Sequence, residues 1–148
     1  MNEQSELIFN KEVLNQEYEL GTFNVTKQMI QNLAYSIGDT SGSSSEKESH
    51  PGGKLVAPTL LPSLFAKFEG PENLDLQFEG VDYMAGQYFE PKAPVESGDV
   101  LKCVARVKAV YKKTGRSGPM VFVVREHRFI NQRGVIVAIV GLSNVRRK

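Results

Sequence analysis

The feature that most constrains the fold of this chain is a regular alternation of apolar and polar residues after residue 100. In its first stretch, five apolar side chains fall on one side of an extended backbone: Leu101, Cys103, Ala105, Val107 and Ala109. Successive side chains of a strand point to opposite faces, so this pattern predicts a strand with one buried face. Two short polar turns, 114–119 and 131–134, separate it from two further apolar stretches. Connections this short predict antiparallel strands in a meander.

The pattern of the first half of the chain predicts helices, with one strand before them at residues 18–25 and another after them within residues 81–95. Thr26 is a suitable N-cap, and Gly38 is placed to end the helix in a left-handed conformation. Between them, apolar residues recur at helical spacing: Met29, Ile30, Leu33, Ala34 and Ile37.

A second, more apolar helix is predicted from residue 60 to residue 69. Its stripe is wide enough to be buried against a sheet, and it consists of Leu60, Leu61, Leu64, Phe65 and Phe68. An N-cap at Thr59 places Pro62 in the first turn, where its missing N–H is not required. Gly70-Pro71 is expected to end this helix.

Residues 38–53 contain no apolar side chain and predict a flexible surface loop. Both flanks of this loop look like parts of one domain. We therefore expect residues 1–148 to form a single α+β domain, with an antiparallel sheet wrapped around the central apolar helix. A length of 148 residues suits one domain.

The charge and composition narrow the class of protein further. A net charge of +1 gives no argument for nucleic acid or for an anionic membrane surface. A single cysteine permits no internal disulfide, and no stretch has the length of a signal peptide core or a membrane helix. A soluble cytoplasmic protein is therefore expected. The sequence also shows no glycine-rich phosphate loop, metal-ligand spacing or nucleophile elbow, so no cofactor or metal is expected.

Four segments in order resemble the MaoC-like (R)-specific enoyl-thioester hydratases and dehydratases, most closely the N-terminal type found in FAS1-like dehydratases. The segments are YSIGD at 35–39, LVAPT at 55–59, FEPKAPVESGDVL at 89–101, and residues 111–134 with their two turns. Together they extend over almost everything after residue 20. The resemblance implies a hot-dog fold, in which the sheet surrounds the central helix.

The resemblance also implies chemistry at an enoyl thioester. In the family, an aspartate and a histidine five residues later activate a water, and backbone N–H groups at the entrance to the central helix stabilise the thioester oxygen. Asp39 matches the aspartate, but Ser44 stands where the histidine is expected. The entrance to the central helix corresponds to Val56, Ala57 and Thr59, which are therefore expected to bind the substrate.

Two histidines are available in place of the missing one. His50 lies in the same polar loop as Asp39, and a loop folded back would bring the two together; alternatively, His50 is a solvated loop residue without a role. His127 lies in a predicted strand and is expected to be structural or exposed. Asp39 has an alternative as well, because aspartate after glycine often bonds backbone N–H groups in a turn.

Lys113 and Arg116 lie at a predicted hairpin turn. There they could bind a phosphate of coenzyme A or of a carrier protein, or form an ordinary solvated hairpin tip. Serine hydrolase chemistry at Ser44 is not expected, since no histidine and aspartate follow it in a suitable order.

Three functions remain open from the sequence. The first is a hydratase or dehydratase for enoyl or 3-hydroxyacyl thioesters that uses Asp39 and His50. The second is a non-catalytic subunit that binds the acyl thioester beside a catalytic hot-dog partner, and the third is a hot-dog thioesterase. In each case the expected ligand is an acyl-CoA or acyl carrier protein thioester. Because family active sites form between two protomers, a homodimer or a heterodimer with another hot-dog subunit is expected.

Overall fold

The computed structural model describes residues 6–39 and 53–148. Its regular elements, in chain order, are β1 (Tyr18–Asn24), α1 (Lys27–Ile37), β2 (Val81–Pro91), β3 (Val100–Gly115), β4 (Gly118–Ile130) and β5 (Ile136–Arg147). Three short 3₁₀ helices, Lys11–Val13, Leu61–Phe65 and Glu72–Leu74, complete them. Within these described ranges, no helix is long and apolar enough to cross a membrane.

The five strands form one antiparallel sheet in the order β1-β3-β4-β5-β2. Strands β3, β4 and β5 are neighbours in sequence and in space, which confirms the predicted meander. The two remaining strands form the edges, β1 beside β3 and β2 beside β5. The α+β class expected from the sequence is thereby confirmed.

Helix α1 begins and ends at the predicted residues. The Thr26 hydroxyl accepts a hydrogen bond from the Met29 N–H, and Gly38 adopts a left-handed conformation with φ 68° and ψ 31°. Such a conformation is one that glycine adopts without a steric cost. Only one face of the helix is buried, through Ile30 and Ala34.

The second predicted helix is much shorter than expected and is not an α-helix. It is the 3₁₀ helix Leu61–Phe65, its N-cap is Leu60 rather than Thr59, and it ends five residues before Gly70. The N–H groups of Leu61 and Ser63 donate to carbonyls three residues earlier, at 3.0 and 2.9 Å. The Ala66 N–H likewise donates to the Ser63 carbonyl at 3.4 Å, so these hydrogen bonds span three residues instead of the four of an α-helix.

The core lies between one face of the sheet and the segments around this 3₁₀ helix. We call that face the inner face; on β4 it carries alternating side chains from Val121 to Phe129. Its buried cluster includes residues from α1, from the segment 55–61 and from β3 to β5: Ile30, Leu55, Leu61, Leu101, Cys103, Phe129 and Val140. Phe65 stacks on Phe23, with ring centroids 4.6 Å apart, and closes the cluster beside β1.

Candidate functional site

Asp39 lies where the chain turns away from α1. The left-handed Gly38 donates its N–H to the last turn of the helix, and the Asp39 N–H donates to the Ala34 carbonyl at 2.8 Å. The Asp39 side chain is half-buried. The helix terminus thus determines the position of this carboxylate, as a C-terminal capping motif does for the residue after its glycine.

The segment that leads into the 3₁₀ helix is held by the turn before β3. The Leu55 N–H donates to the Ser97 hydroxyl at 2.9 Å, and the Ala57 N–H donates to the Val95 carbonyl at 2.7 Å. Asp99 supports this turn from within: it is fully buried, and its carboxylate accepts hydrogen bonds from the Glu96 N–H and from the Gln132 side chain. A turn fixed by so many hydrogen bonds is a rigid support for the segment 55–59.

A pocket of about 310 Å³ lies beside this segment, where β2 ends and β5 begins. Three of the residues predicted from the sequence line it together, namely Val56, Ala57 and Thr59. Sequence analysis did not find the remaining lining residues, which are Pro91 to Val95 and Val137. The signals for residues 91–95 were the strand predicted within residues 81–95 and the family-like segment at 89–101. The walls are mostly apolar, as is usual for a site that binds an organic ligand.

Two backbone amides are available at the edge of this pocket. Thr59 and Leu60 are exposed and precede the 3₁₀ helix, and neither N–H donates a hydrogen bond to another described residue. Amides of this kind can donate to an oxyanion. The Pro58 carbonyl, in contrast, accepts from the Leu61 N–H.

Lys113 and Arg116 do not line this pocket. Both are exposed at the β3–β4 hairpin. The Lys113 ammonium lies over the stacked rings of Tyr111 and Phe122, 5.5 and 5.6 Å from their centroids. A cation–π contact therefore orients the Lys113 side chain.

Only one of the two histidines, His127, lies within the described residues. His50 and Ser44 lie outside the described residues. His127 is completely buried on the inner face, and its ring nitrogens lie 2.7 Å from the Lys67 carbonyl oxygen and 3.3 Å from that of Val140. Burial lowers the pKa of His127, although both carbonyl contacts oppose that shift. His127 is thus structural, one of the two outcomes expected for it.

Sequence analysis missed a polar group beside His127 on the inner face. Arg125 is 7% exposed and donates hydrogen bonds to the Gly70 carbonyl and to the Asn144 side chain, at 2.8 and 2.6 Å. A signal existed in the alternation of β4, since an arginine at position 125 falls between inward-facing Val123 and His127. Within the described residues, no group of three or more histidine, cysteine, aspartate or glutamate side chains is placed to hold a metal ion.

Comparison with known proteins adds a family and a fold. Residues 13–140 match the model of a family described as FAS1-like, dehydratase domain region. The sequence has no significant match among curated proteins.

Several solved structures are similar in fold at low sequence identity. The C-terminally truncated HadBC (3R-hydroxyacyl-ACP dehydratase) complex from Mycobacterium tuberculosis has 19% identity and a TM-score of 0.67, over 90% of this chain and 96% of that chain. The R-hydratase PhaJ1 from Pseudomonas aeruginosa has 19% identity and a TM-score of 0.61, over 91% and 82%. A MaoC-like dehydratase from Rhodospirillum rubrum has 19% identity and a TM-score of 0.65, over 95% and 99%. These likenesses confirm the hot-dog fold that the sequence predicted.

Proposed function

Because this chain belongs to the FAS1-like dehydratase domain family, we propose that it acts on enoyl or 3-hydroxyacyl thioesters of coenzyme A or of an acyl carrier protein. The reaction is the addition of water to a 2-enoyl thioester or its reverse. The observation that supports this most directly is the pocket beside Val56, Ala57 and Thr59, whose apolar walls and exposed amides suit an acyl thioester. This proposal extends the family assignment to a substrate class and to particular residues.

In the proposed mechanism, the thioester oxygen accepts hydrogen bonds from the Thr59 and Leu60 amides. Asp39 takes a proton from the water whose oxygen bonds to the β-carbon. His50 gives a proton to the α-carbon and is reprotonated by Asp39, which completes the addition. Charge that develops on the thioester oxygen is stabilised by the two amides, which need no reorganisation because the turn at 95–99 holds the preceding segment. Lys113 and Arg116 are proposed to contact a phosphate of the carrier.

The second proton-transfer group is proposed to be His50. Serine at position 44 has no useful basicity near neutral pH, so it cannot replace the histidine that the family has there. Without a histidine that reaches the site, hydration by this chain alone is expected to be about two to four orders of magnitude slower than hydration by an intact hydratase.

Hydration of crotonyl-CoA, followed by the loss of enoyl absorbance in the ultraviolet, tests this proposal. The variants are Asp39→Asn, His50→Ala and Ser44→His, with Asp75→Asn as a matched control at an exposed aspartate. Ordinary turnover that Asp39→Asn and His50→Ala abolish, and that Asp75→Asn leaves unchanged, supports the mechanism. Full activity in both Asp39→Asn and His50→Ala would contradict it.

A second candidate is a non-catalytic subunit that binds the acyl thioester beside a catalytic partner. The specific observation in its favour is Ser44, because the usual catalytic pair is then incomplete in this chain. HadBC, which this chain resembles in fold, is itself a complex. An inert wild-type chain that Ser44→His does not activate, but that binds crotonyl-CoA in a calorimeter, favours this candidate.

We also propose that the chain pairs with a second hot-dog subunit along β2. This edge strand has 11 residues and a row of exposed apolar side chains, namely Val81, Tyr83, Met84 and Tyr88. Long exposed edges with apolar side chains are normally covered. Light scattering at micromolar concentration, alone and with the product of a neighbouring gene, measures this directly. A stable 16.4 kDa species under both conditions contradicts the pairing.

A further inference from the structure

A second pocket lies at the opposite end of β2 and β5 from the one described above. Its volume is about 190 Å³, and it lies partly open to solvent between the inner face and the covering segment, which we define as residues 66–78. One wall is apolar and consists of Phe68, Leu74, Leu76, Met84 and Val123. The other wall is polar and consists of Asp82, Arg125, Asn144 and Arg146. The two pockets are separated along β2 by about eight residues, or ~25 Å at strand rise.

Arg125 is the most deeply buried charge in this pocket. It donates hydrogen bonds to two uncharged acceptors, the Gly70 carbonyl and the Asn144 side-chain oxygen, and its side chain also interacts with the Tyr18 hydroxyl. Among the residues that the structure describes, no carboxylate forms an ion pair with it. Burial lowers the pKa of Arg125, although Tyr18 and the Asp82 carboxylate oppose that shift.

Asp82, the carboxylate of the pocket, forms an ion pair with Arg146. Both of its oxygens accept hydrogen bonds from Arg146 at 2.9 Å, and one also accepts from the Asn144 amide at 3.2 Å. Arg146 lowers the pKa of Asp82, so this carboxylate is ionised at neutral pH. The pocket is therefore lined by two guanidinium charges and one carboxylate, which gives it an excess of one positive charge.

We propose that this pocket is a binding site for a short aliphatic carboxylate, independent of the thioester site. Its carboxylate pairs with Arg125, and its chain packs against Phe68, Leu74 and Leu76. One monoanion neutralises the excess charge, and guanidinium–carboxylate hydrogen bonds are stronger than those between neutral groups. The volume equals that of about six water molecules at ~30 Å³ each, which suits an acid of roughly four to six carbons.

A fluorescence titration locates the ligand. The chain contains no tryptophan, so Phe68→Trp introduces a single reporter at a half-exposed position in the apolar wall. Hexanoate is expected to change the emission of this variant in a saturable manner. Methyl hexanoate and 1-hexanol, which keep the chain but lack the charge, are expected to bind at least tenfold more weakly, and inorganic phosphate is expected not to compete.

The results distinguish a carboxylate site from a purely apolar pocket and from a general anion site. Equal binding of hexanoate and 1-hexanol, competition by phosphate at similar concentrations, or no change with hexanoate would each overturn the proposal. In the same background, Arg125→Gln is expected to weaken hexanoate binding at least tenfold. If Arg125→Gln does not fold, the comparison between hexanoate and its neutral analogues still decides the matter. Because the readout is binding at Phe68→Trp, failure here leaves the thioester proposal untouched.

Discussion

The Nε2 atom of His127 lies 2.7 Å from the carbonyl oxygen of Lys67, 60 residues earlier in the chain. This contact ties the covering segment to the inner face of β4. Tyr18 and Arg125 act in the same way, since they donate to the carbonyls of Glu69 and Gly70. Where the sequence predicted a continuous helix, side chains of the sheet instead bind the backbone of an irregular segment.

The buried His127 is expected to make stability depend on pH. Its folded pKa lies below the ordinary 6.5, so the unfolded chain binds the proton first. Stability is then complete above pH 6.5 and is lost as the pH falls below it, with a slope of up to ~1.4 kcal/mol per pH unit. Urea unfolding of wild type and His127→Gln from pH 5 to 8 measures this. The variant keeps a donor for Lys67 and should have the flatter profile; parallel profiles would refute the assignment.

Gly141 is expected to tolerate no larger residue. The Tyr88 ring lies across it, and the Tyr88 hydroxyl reaches the Glu126 carboxylate on β4 at 2.9 Å. A Cβ at position 141 would overlap that ring. Gly141→Ala should therefore lower the free energy of unfolding by about 1–3 kcal/mol. Gly86→Ala, on the adjacent strand with open space around it, is the control and should be nearly neutral in the same denaturation experiment.

Cys103 is expected to be inert in the folded protein. It is fully buried on β3, and burial raises the pKa of its thiol to about 12, so almost no thiolate exists at pH 8. A chromogenic disulfide reagent should release colour from wild type only after denaturant is added. Ser117→Cys, at the exposed β3–β4 turn, should react at once under native conditions. Rapid reaction of native wild type would mean that β3 opens readily.

The pocket beside Thr59 is expected to bind crotonyl-CoA more weakly when a larger side chain narrows it. Ala93 lines it and is half-buried, so Ala93→Leu places three additional carbon atoms in the space proposed for the acyl thioester. The dissociation constant of crotonyl-CoA, measured by calorimetry, should rise roughly tenfold or more. Ala85→Leu makes the same change at an exposed position of β2 and should have no such effect. Unchanged affinity in Ala93→Leu would place the ligand elsewhere.

The strands of the meander were predictable because the alternation of residue types in each one shows which of its faces is buried. In β3, Leu101, Cys103, Ala105 and Val107 alternate as a half-buried strand requires, and all four are buried. Helix α1 was predictable for a similar reason, since the cap at Thr26 and the glycine at 38 act through bonds to residues a few positions away. Local sequence patterns predict an element when the interactions that stabilise it are local.

The second helix was mispredicted because the spacing of apolar residues does not show which backbone hydrogen bonds form. Its stripe from Leu60 to Phe68 is real, but the hydrogen bonds there span three residues and the helix ends at Phe65. The role of the polar side chains of β4 was missed for a different reason, because their partners are distant in the sequence. Arg125 and His127 are satisfied by backbone carbonyls 55 and 60 residues away, and no short sequence pattern identifies such partners. Of the candidate site, Val56, Ala57 and Thr59 were brought together as expected, whereas residues 91–95 and Val137 join them only through the pairing of β2 with β5.

The position of β1 at the edge beside β3 has a consequence for synthesis. Phe23 pairs with Leu101, so the first strand emerges from the ribosome well before its partner is made. At ~5–20 residues per second, roughly 4–16 s pass before residue 101 is added. The hairpins of β3, β4 and β5 close over short turns and should form first, as local contacts do. The N-terminal third of the chain must therefore wait, with Leu20 and Phe23 exposed, until the C-terminal meander gives it a surface on which to dock.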